Sequence, residues 1–313
     1  MISVALNNSI NNILCCPACK GKLEANQGWA EIRCIVCSST FPVIKGIPNF
    51  LVNTSIGQEG EKRLRDEKAL EYEKFNLIEL INILRRHHSI EIMKERTQQF
   101  EARFGSDQWV ADLGVGWGWH WTVEGKGPNV VGIDISMNNL LVAKRILEGQ
   151  NRNIALICAD ASNLPIRDSV LSGAWSVQVF QHMPENIFQM AKKELCRVMM
   201  DRFHMEIYNL NPAWLLKMIY RFAGKTLHLS GEYGGMEFNR FTPREWGKKW
   251  EDFKKGSSSF SYGYSELFFH PDLRICPGAY PVRIERFLAG RVGRAASLFA
   301  RQGQVIISGK GIA

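Results

Sequence analysis

The stretch Trp109-Val110-Ala111-Asp112-Leu113-Gly114-Val115-Gly116-Trp117-Gly118 decides the fold. A short, mostly apolar run ends in an acid and passes into glycines at alternate positions. The run has the length and bounds of a buried strand. The glycines let the chain bend sharply and let a ligand approach the backbone with no Cβ in the way. A second run, Asn129-Val130-Val131-Gly132-Ile133-Asp134, also ends in an acid. Ser136 then caps a helix predicted through Leu140, Leu141, Ala143 and Leu147. A third strand ends at Cys158 and leads to Ala159-Asp160-Ala161-Ser162-Asn163-Leu164-Pro165, and a fourth, over 172–177, runs into Gln178-Val179-Phe180-Gln181-His182-Met183-Pro184. Strands alternating with helices predict an α/β fold with a largely parallel sheet. A carboxylate at the tip of the second strand can accept from both hydroxyls of a ribose, and one after the third can accept from an adenine amino group. A dinucleotide fingerprint needs a third glycine spaced for helix packing, whereas the glycines here alternate.

Before this block lies a cysteine cluster. Five of the 8 cysteines fall in the first forty residues: Cys15, Cys16, Cys19, Cys34 and Cys37. Cys16-Pro17-Ala18-Cys19 and Cys34-Ile35-Val36-Cys37 are two CxxC pairs, and two such turns can supply the four thiolates of a tetrahedral Zn2+. Cys15 is surplus, since only Cys16 keeps the pair spacing. Short strands are predicted at Lys20 to Leu23 and Ala30 to Arg33 around a turn at Gly28. A segment this small buries little core, so a structural metal would supply stability. A single redox dithiol would explain one pair, not two. Cys158, Cys196 and Cys276 read as small packed hydrophobes.

Two resemblances follow. ILCCPACKGKLEANQGWAEIRCIVCSSTFPVIKGIPNFL, residues 13–51, resembles the Trm112-type zinc ribbon, with its CPxCKGxL knuckle and GIPxF ending. The resemblance implies a ribbon that partners methyltransferases or is fused to them, with a structural role. DLGVGWG, VVGIDIS, ADASNLPI and GAWSVQVFQHMP resemble the class I methyltransferases that use S-adenosylmethionine (SAM), in particular the small-molecule-type group. That resemblance implies a Rossmann-like seven-stranded mixed sheet with flanking helices. It implies Asp112, Gly114 and Gly116 around the methionine part of SAM, Asp134 with Ile135 at the ribose, Asp160 and Ala161 at the adenine, and Gln178 beside the sulfonium. Val115 replaces the commoner Cys or Ala. The usual LKPGG turn is missing after Cys196-Arg197-Val198, which predicts a short helix-to-strand connection.

The rest of the chain divides around these motifs. Residues 1–52 form the ribbon and 53–108 a helical lead-in. Residues 109–313 form the methyltransferase domain, with a substrate-side insertion at about 210–281 and a final strand near Gln304 to Ser308. Residues 53–60 read as a linker, and 61–104 as two or three helices that cover the sheet edge and reach over the cofactor. The insertion is rich in aromatics, which either pack as core or build a substrate cover. Phe241-Thr242-Pro243-Arg244-Glu245-Trp246 reads as a helix start.

Methyl transfer needs a positioned acceptor and, for an oxygen, a base. His182, beyond the fourth strand, is the catalytic candidate, weighed against a purely structural role at that turn. His120, His204, His228 and His270 rank below it, and Glu206 and Tyr208 could also face the acceptor. The fourth strand lacks the Asn/Asp-Pro-Pro-aromatic motif of enzymes acting on exocyclic amino nitrogens. No Cys sits where cytosine-C5 chemistry needs its nucleophile.

The net charge of +8 is concentrated after residue 200, where 17 Lys and Arg face 10 Asp and Glu. Such a section can attract RNA, an anionic lipid or a phosphorylated substrate, or only aid solubility. No apolar run is long enough to span a bilayer and no signal peptide is read, so a cytoplasmic place is expected. The expectation is a SAM-dependent methyltransferase acting on an oxygen, or a nitrogen, of a small molecule or biosynthetic intermediate. The rivals are an rRNA or tRNA base methyltransferase and a non-catalytic SAM-binding interaction protein. Acceptor and oligomeric state are not legible.

Overall fold

In a computed structural model, the described residues are 10–26, 30–51, 58–150, 152–212, 214–233, 236–253, 258–271, 279–288 and 293–309. The Gly28 turn, Cys276 and most of the 53–60 linker lie outside them.

The ribbon is a four-stranded antiparallel sheet of β1 (Leu23–Ala25), β2 (Glu31–Cys34), β3 (Thr40–Ile44) and β4 (Ile47–Pro48). The first two strands begin later than the sequence reading placed them. In β2, Ile32 and Cys34 are buried while Glu31 and Arg33 are exposed, the alternation of a half-buried strand. Lys45 and Gly46 both take positive φ between the paired Ile44 and Ile47, the geometry of a tight hairpin turn.

Three helices follow: α1 (Glu59–Glu71), α2 (Leu77–His87) and α3 (Ile90–Glu101). A reciprocal Asn76–Glu79 capping box starts α2, satisfying two of its orphan N–H groups.

Next come β5 (Trp109–Leu113), β6 (Asn129–Asp134), α4 (Met137–Leu147), β7 (Ile154–Cys158), β8 (Leu171–Val177), α5 (Glu185–Val198) and β9 (Met199–Leu210). Met199 caps α5 and begins β9, so the helix passes into the strand with no turn between, as the missing LKPGG predicts. The insertion contains α6 (Trp214–Phe222), β10 (Ser230–Tyr233), β11 (Met236–Asn239) and α7 (Pro243–Trp250). Thr242 and Glu245 form a second capping box, with proline just inside it. β12 (Ser258–Ser265), α8 (Ala279–Leu288) and β13 (Gln302–Gly309) close the chain.

The main sheet has seven strands in the order β12-β13-β9-β8-β5-β6-β7. From β9 to β7 neighbours run parallel, while β13 and β12 are antiparallel, giving a mixed Rossmann-like sheet. β12 lies within the stretch read as insertion, yet it forms the sheet's edge. The strand order reverses at β5, where β6 and β7 lie to one side and β8 to the other. At such a switch point the crevice beyond the strand ends opens for a ligand.

One hydrophobic core joins ribbon and sheet. Ile10, Ile13, Leu14, Ile32, Phe41 and Phe50 of the ribbon pack with Trp109, Ile133, Ile157 and Phe180. Asn49 pairs with Cys158, and the Phe50 N–H donates to the Cys158 carbonyl at 2.8 Å, so the ribbon continues the β7 edge. Lys20 Nζ binds Glu194 and Asn163, both at 2.9 Å.

Candidate functional site

A cavity of about 440 Å³ opens at the β5/β8 switch point, within the size range of small-molecule sites. Its floor is the glycine loop, the tips of β6 and β8, and the turn after β8. Gly114, Gly116, Asp134, Ile135, Ala161, Gln178 and His182 line it. Asp112 and Asp160 stand behind the wall.

Two glycines shape the floor for different reasons. A Cβ on Gly114 would come within 2.1 Å of a Val179 methyl, so the loop and the β8 turn interlock there. A Cβ on Gly116 would meet only a backbone oxygen at 4.0 Å, but its φ of +54° disfavours any side chain. The space beside Gly116 therefore lies open to the cavity.

Asp134 accepts from the Gly116 N–H at 2.8 Å and the Ser136 N–H at 2.9 Å, one bond to each oxygen. The Asn139 side chain also bonds to it, so of a carboxylate's roughly four acceptor sites one remains for a ribose hydroxyl. Burial pushes its pKa up, partly offset by those N–H donors. Gln178 holds a φ of +58°, and its Nε2 is buried with no partner among the described residues. A donor left bare in a cavity wall is an expected ligand contact. Open backbone, a spare lone pair on Asp134 and the bare Gln178 donor fit SAM.

Asp160 is engaged locally. One oxygen accepts from the backbone and hydroxyl of Ser162 at 2.8 and 2.7 Å, and Gln58, with its amide nitrogen turned inward, reaches both oxygens. Asp112 Oδ2 receives His120 Nε2 at 2.7 Å and Trp121 Nε1 at 2.6 Å. His120 itself lines the cavity.

His182 is buried against the insertion. Its Nδ1 donates to the Glu237 carbonyl of β11 at 2.8 Å, which fixes the tautomer with a lone pair on Nε2. Gln181 Nε2 approaches that lone pair at 3.3 Å. Burial lowers the pKa to about 4, so the ring is neutral near pH 7.

The lead-in helices roof the cavity, and few of these residues were legible as site residues. Glu61, Arg65, Lys68 and Tyr72 come from α1 and its C-cap, and Leu84, His87 and His88 from α2 and its end. Arg65 pairs with Glu61 at 3.6 Å, and burial raises the Glu61 pKa. Asp66 accepts from the Ser136 hydroxyl at 2.5 Å, tying α1 to the start of α4. Tyr72 meets Trp117 edge-on at 4.9 Å, and His88 lies 5.3 Å from Trp119. Burial holds His88 near a pKa of about 3. A charged helical lead-in resembles any solvated helix, so only its packing over the glycine loop marks these side chains.

The remaining candidates lie elsewhere. Glu206 bridges His204 at 3.1 Å and Tyr208 at 2.8 Å inside the sheet, and none of the three lines the cavity. His228 is exposed, and His270 binds the Leu267 carbonyl.

The sulfurs of Cys16, Cys19, Cys34 and Cys37 lie within 4.8 Å of one another. Two of the separations are 3.6 Å (Cys16–Cys37) and 3.5 Å (Cys19–Cys34). A tetrahedral zinc with bonds of ~2.3 Å sets its sulfurs about 3.8 Å apart, whereas a disulfide needs ~2.05 Å. The four thiols fit a structural Zn2+. Cys15 is buried outside the cluster and binds the sheet domain through its backbone N–H, donated to the Pro165 carbonyl at 3.0 Å.

Comparisons with known proteins match two parts of the chain. Residues 110–201 match the family described as methyltransferase domain. The N-terminal segment is similar to the UPF0434 proteins. One from Bordetella pertussis is 36% identical over 64 residues, 20% of this chain and 92% of the relative. One from Shewanella baltica is 32% identical over 53 residues, 17% of this chain and 90% of the relative. A solved SAM-dependent methyltransferase from Archaeoglobus fulgidus is 18% identical with a TM-score of 0.49, covering 75% of this chain and 100% of that one.

Proposed function

From a chain that belongs with the UPF0434 proteins by its N-terminal segment and is a SAM-dependent methyltransferase by its residues 110–201, we propose methyl transfer to an oxygen of a small acceptor. The acceptor sits between the Gln178–His182 turn and the roof of α1 and α2. The observation that carries this reading is the roofed cavity of about 440 Å³, whose lining mixes Glu61 and Asp134 with Arg65 and Lys68. An RNA base methyltransferase calls instead for an open groove of one charge.

Bound SAM supplies a methyl group on a sulfonium leaving group. Asp134 and the bare backbone at Gly116 hold the nucleoside. Gln178 Nε2 offers a hydrogen bond near the reacting centre. His182 Nε2, neutral and with its partner ring nitrogen anchored, takes the acceptor O–H proton as the O–CH3 bond forms. Gln181 yields its weak contact as the acceptor docks. A base of such low pKa suits an acidic hydroxyl, such as a phenol or enol, better than an aliphatic alcohol.

The test is calorimetry of the full chain with S-adenosylhomocysteine, then tritiated-methyl transfer to fractionated cell extract. Label in a low-mass fraction is the expected result. Label in RNA would sink the small-acceptor reading, and cofactor binding with no acceptor in any fraction would favour a sensor.

A further inference from the structure

The insertion carries a surface the reaction does not use. Residues 214–231 contain Lys217, Arg221 and Lys225 and no acid. Helix α6 within them has three sides. Leu216 and Tyr220 point inward and cluster with Leu227. Lys217 and Arg221 occupy a second side and are exposed. Leu215, Met218, Ile219 and Phe222 follow one another at the i, i+3, i+4, i+7 spacing that places them on one face. Such a stripe is ordinarily the buried one. Here Leu215 is 37% exposed and Phe222 85%, with Met218 and Ile219 half-buried and Leu229 of the following loop 39% exposed.

We propose that this face of α6 docks on an anionic phospholipid bilayer. Phe222 and Leu215 enter the boundary between headgroups and acyl chains, and Lys217 and Arg221 reach the lipid phosphates. Charge selects this occupant, since the exposed Lys217 and Arg221 flank the apolar stripe on a helix that itself carries no acid, which complements an anionic leaflet. The aliphatic stripe selects it over nucleic acid, because phosphate contacts and base stacking gain nothing from an exposed Leu and Ile. α6 is 9 residues long, and no helix among the described residues is long and apolar enough to cross a membrane. The helix therefore lies in the plane of the interface, where one short amphipathic element gives weak, reversible attachment. Its chain leads directly into β10 and β11. The Glu237 carbonyl there accepts from His182, and Met236 meets Arg65 at 3.5 Å, so docking brings the bilayer beside the cavity's cover.

Co-sedimentation of the full chain with vesicles tests this, using phosphatidylcholine mixed with phosphatidylglycerol beside phosphatidylcholine alone. The expected result is binding to the mixed vesicles, at least about tenfold weaker on phosphatidylcholine alone or at high salt. Phe222→Glu should weaken binding about tenfold or more, and Lys217→Glu with Arg221→Glu by a similar factor. Both variants should keep the parent's melting temperature and S-adenosylhomocysteine affinity, since none of these side chains lines the cavity. The proposal is overturned if the parent ignores mixed vesicles, or if Phe222→Glu binds them as well as the parent does. It also falls if this face instead mediates self-association in sedimentation equilibrium, or shifts bulk RNA while leaving vesicles untouched.

Discussion

Gly114 and Gly116 stand two residues apart and answer to different constraints. At Gly114 the neighbour is Val179, and at Gly116 it is the ligand space. Both were visible as an alternating glycine pattern, but only the packing of the β8 turn separates their roles. Asp134 was legible because an acid at a strand tip is a local signal. Asp134→Asn should keep the fold and weaken S-adenosylhomocysteine binding about tenfold by calorimetry, since a charge-assisted bond is lost. Wild-type affinity in that variant would remove the ribose assignment. His182 was legible as a motif histidine, but its protonation was not, because that depends on burial and on Glu237 of a distant strand. His182→Asn retains a donor for the Glu237 carbonyl and removes Nε2. Its kcat should fall about a hundredfold or more with cofactor affinity within about twofold. The neutral ring is the active form, so wild-type activity should fade as pH drops through about 4, not through the ordinary histidine value. An unchanged kcat would return His182 to a structural role. The His120–Asp112 pair was hidden, since nothing in the order Asp112 to His120 shows that the ring folds back onto the acid.

Among the elements, α1 and the ribbon matter most. Helix α1 is highly charged with few buried residues, so it stays over the cavity through specific bonds. Asp66 holds the Ser136 hydroxyl, and the Asn138 side-chain amide donates to the Asp66 carbonyl. Asp66→Ala should therefore raise hydrogen exchange across residues 59–71 and speed cofactor release, with a loss of about 1 kcal/mol at most in global stability. Unchanged exchange would mean that α1 is held by its other contacts. The ribbon's metal has a wider reach because its core continues into the sheet domain. Stripping zinc with a chelator, or Cys34→Ser, should lower the melting temperature of the whole chain by several degrees or more. A separate early transition with the main one unmoved would show that the ribbon melts alone. The CxxC pairs announced the ribbon from the sequence. Its seat on the β7 edge was not announced, since the backbone at Asn49 and Phe50 pairs with Cys158 across more than a hundred positions.

At the scale of the whole molecule, buried neutral histidines set a pH response. His88 and His182 have folded pKa values of about 3 and about 4, below the ordinary value near 6.5. Between those limits the unfolded chain binds more protons, so stability rises with pH there. It is fully present above about 6.5 and is lost as pH falls through the folded values. Denaturant midpoints should decline from pH 7 to pH 5, and the slope should be shallower in His182→Asn, which lacks one of the two groups. An identical slope would place the response elsewhere. By itself the sequence determined the α/β class, the strand-tip acids, the glycine loop and the four thiols, because each is written in neighbouring residues and follows from strand length, backbone freedom or ligand spacing. Only the tertiary structure decided which of those acids reach the cavity, which side chains of the lead-in helices roof it, that β12 completes the sheet and that an apolar stripe on α6 is left outside. Those outcomes depend on which distant segments bury one another, and the pattern within any one segment is the same whichever partner it finds.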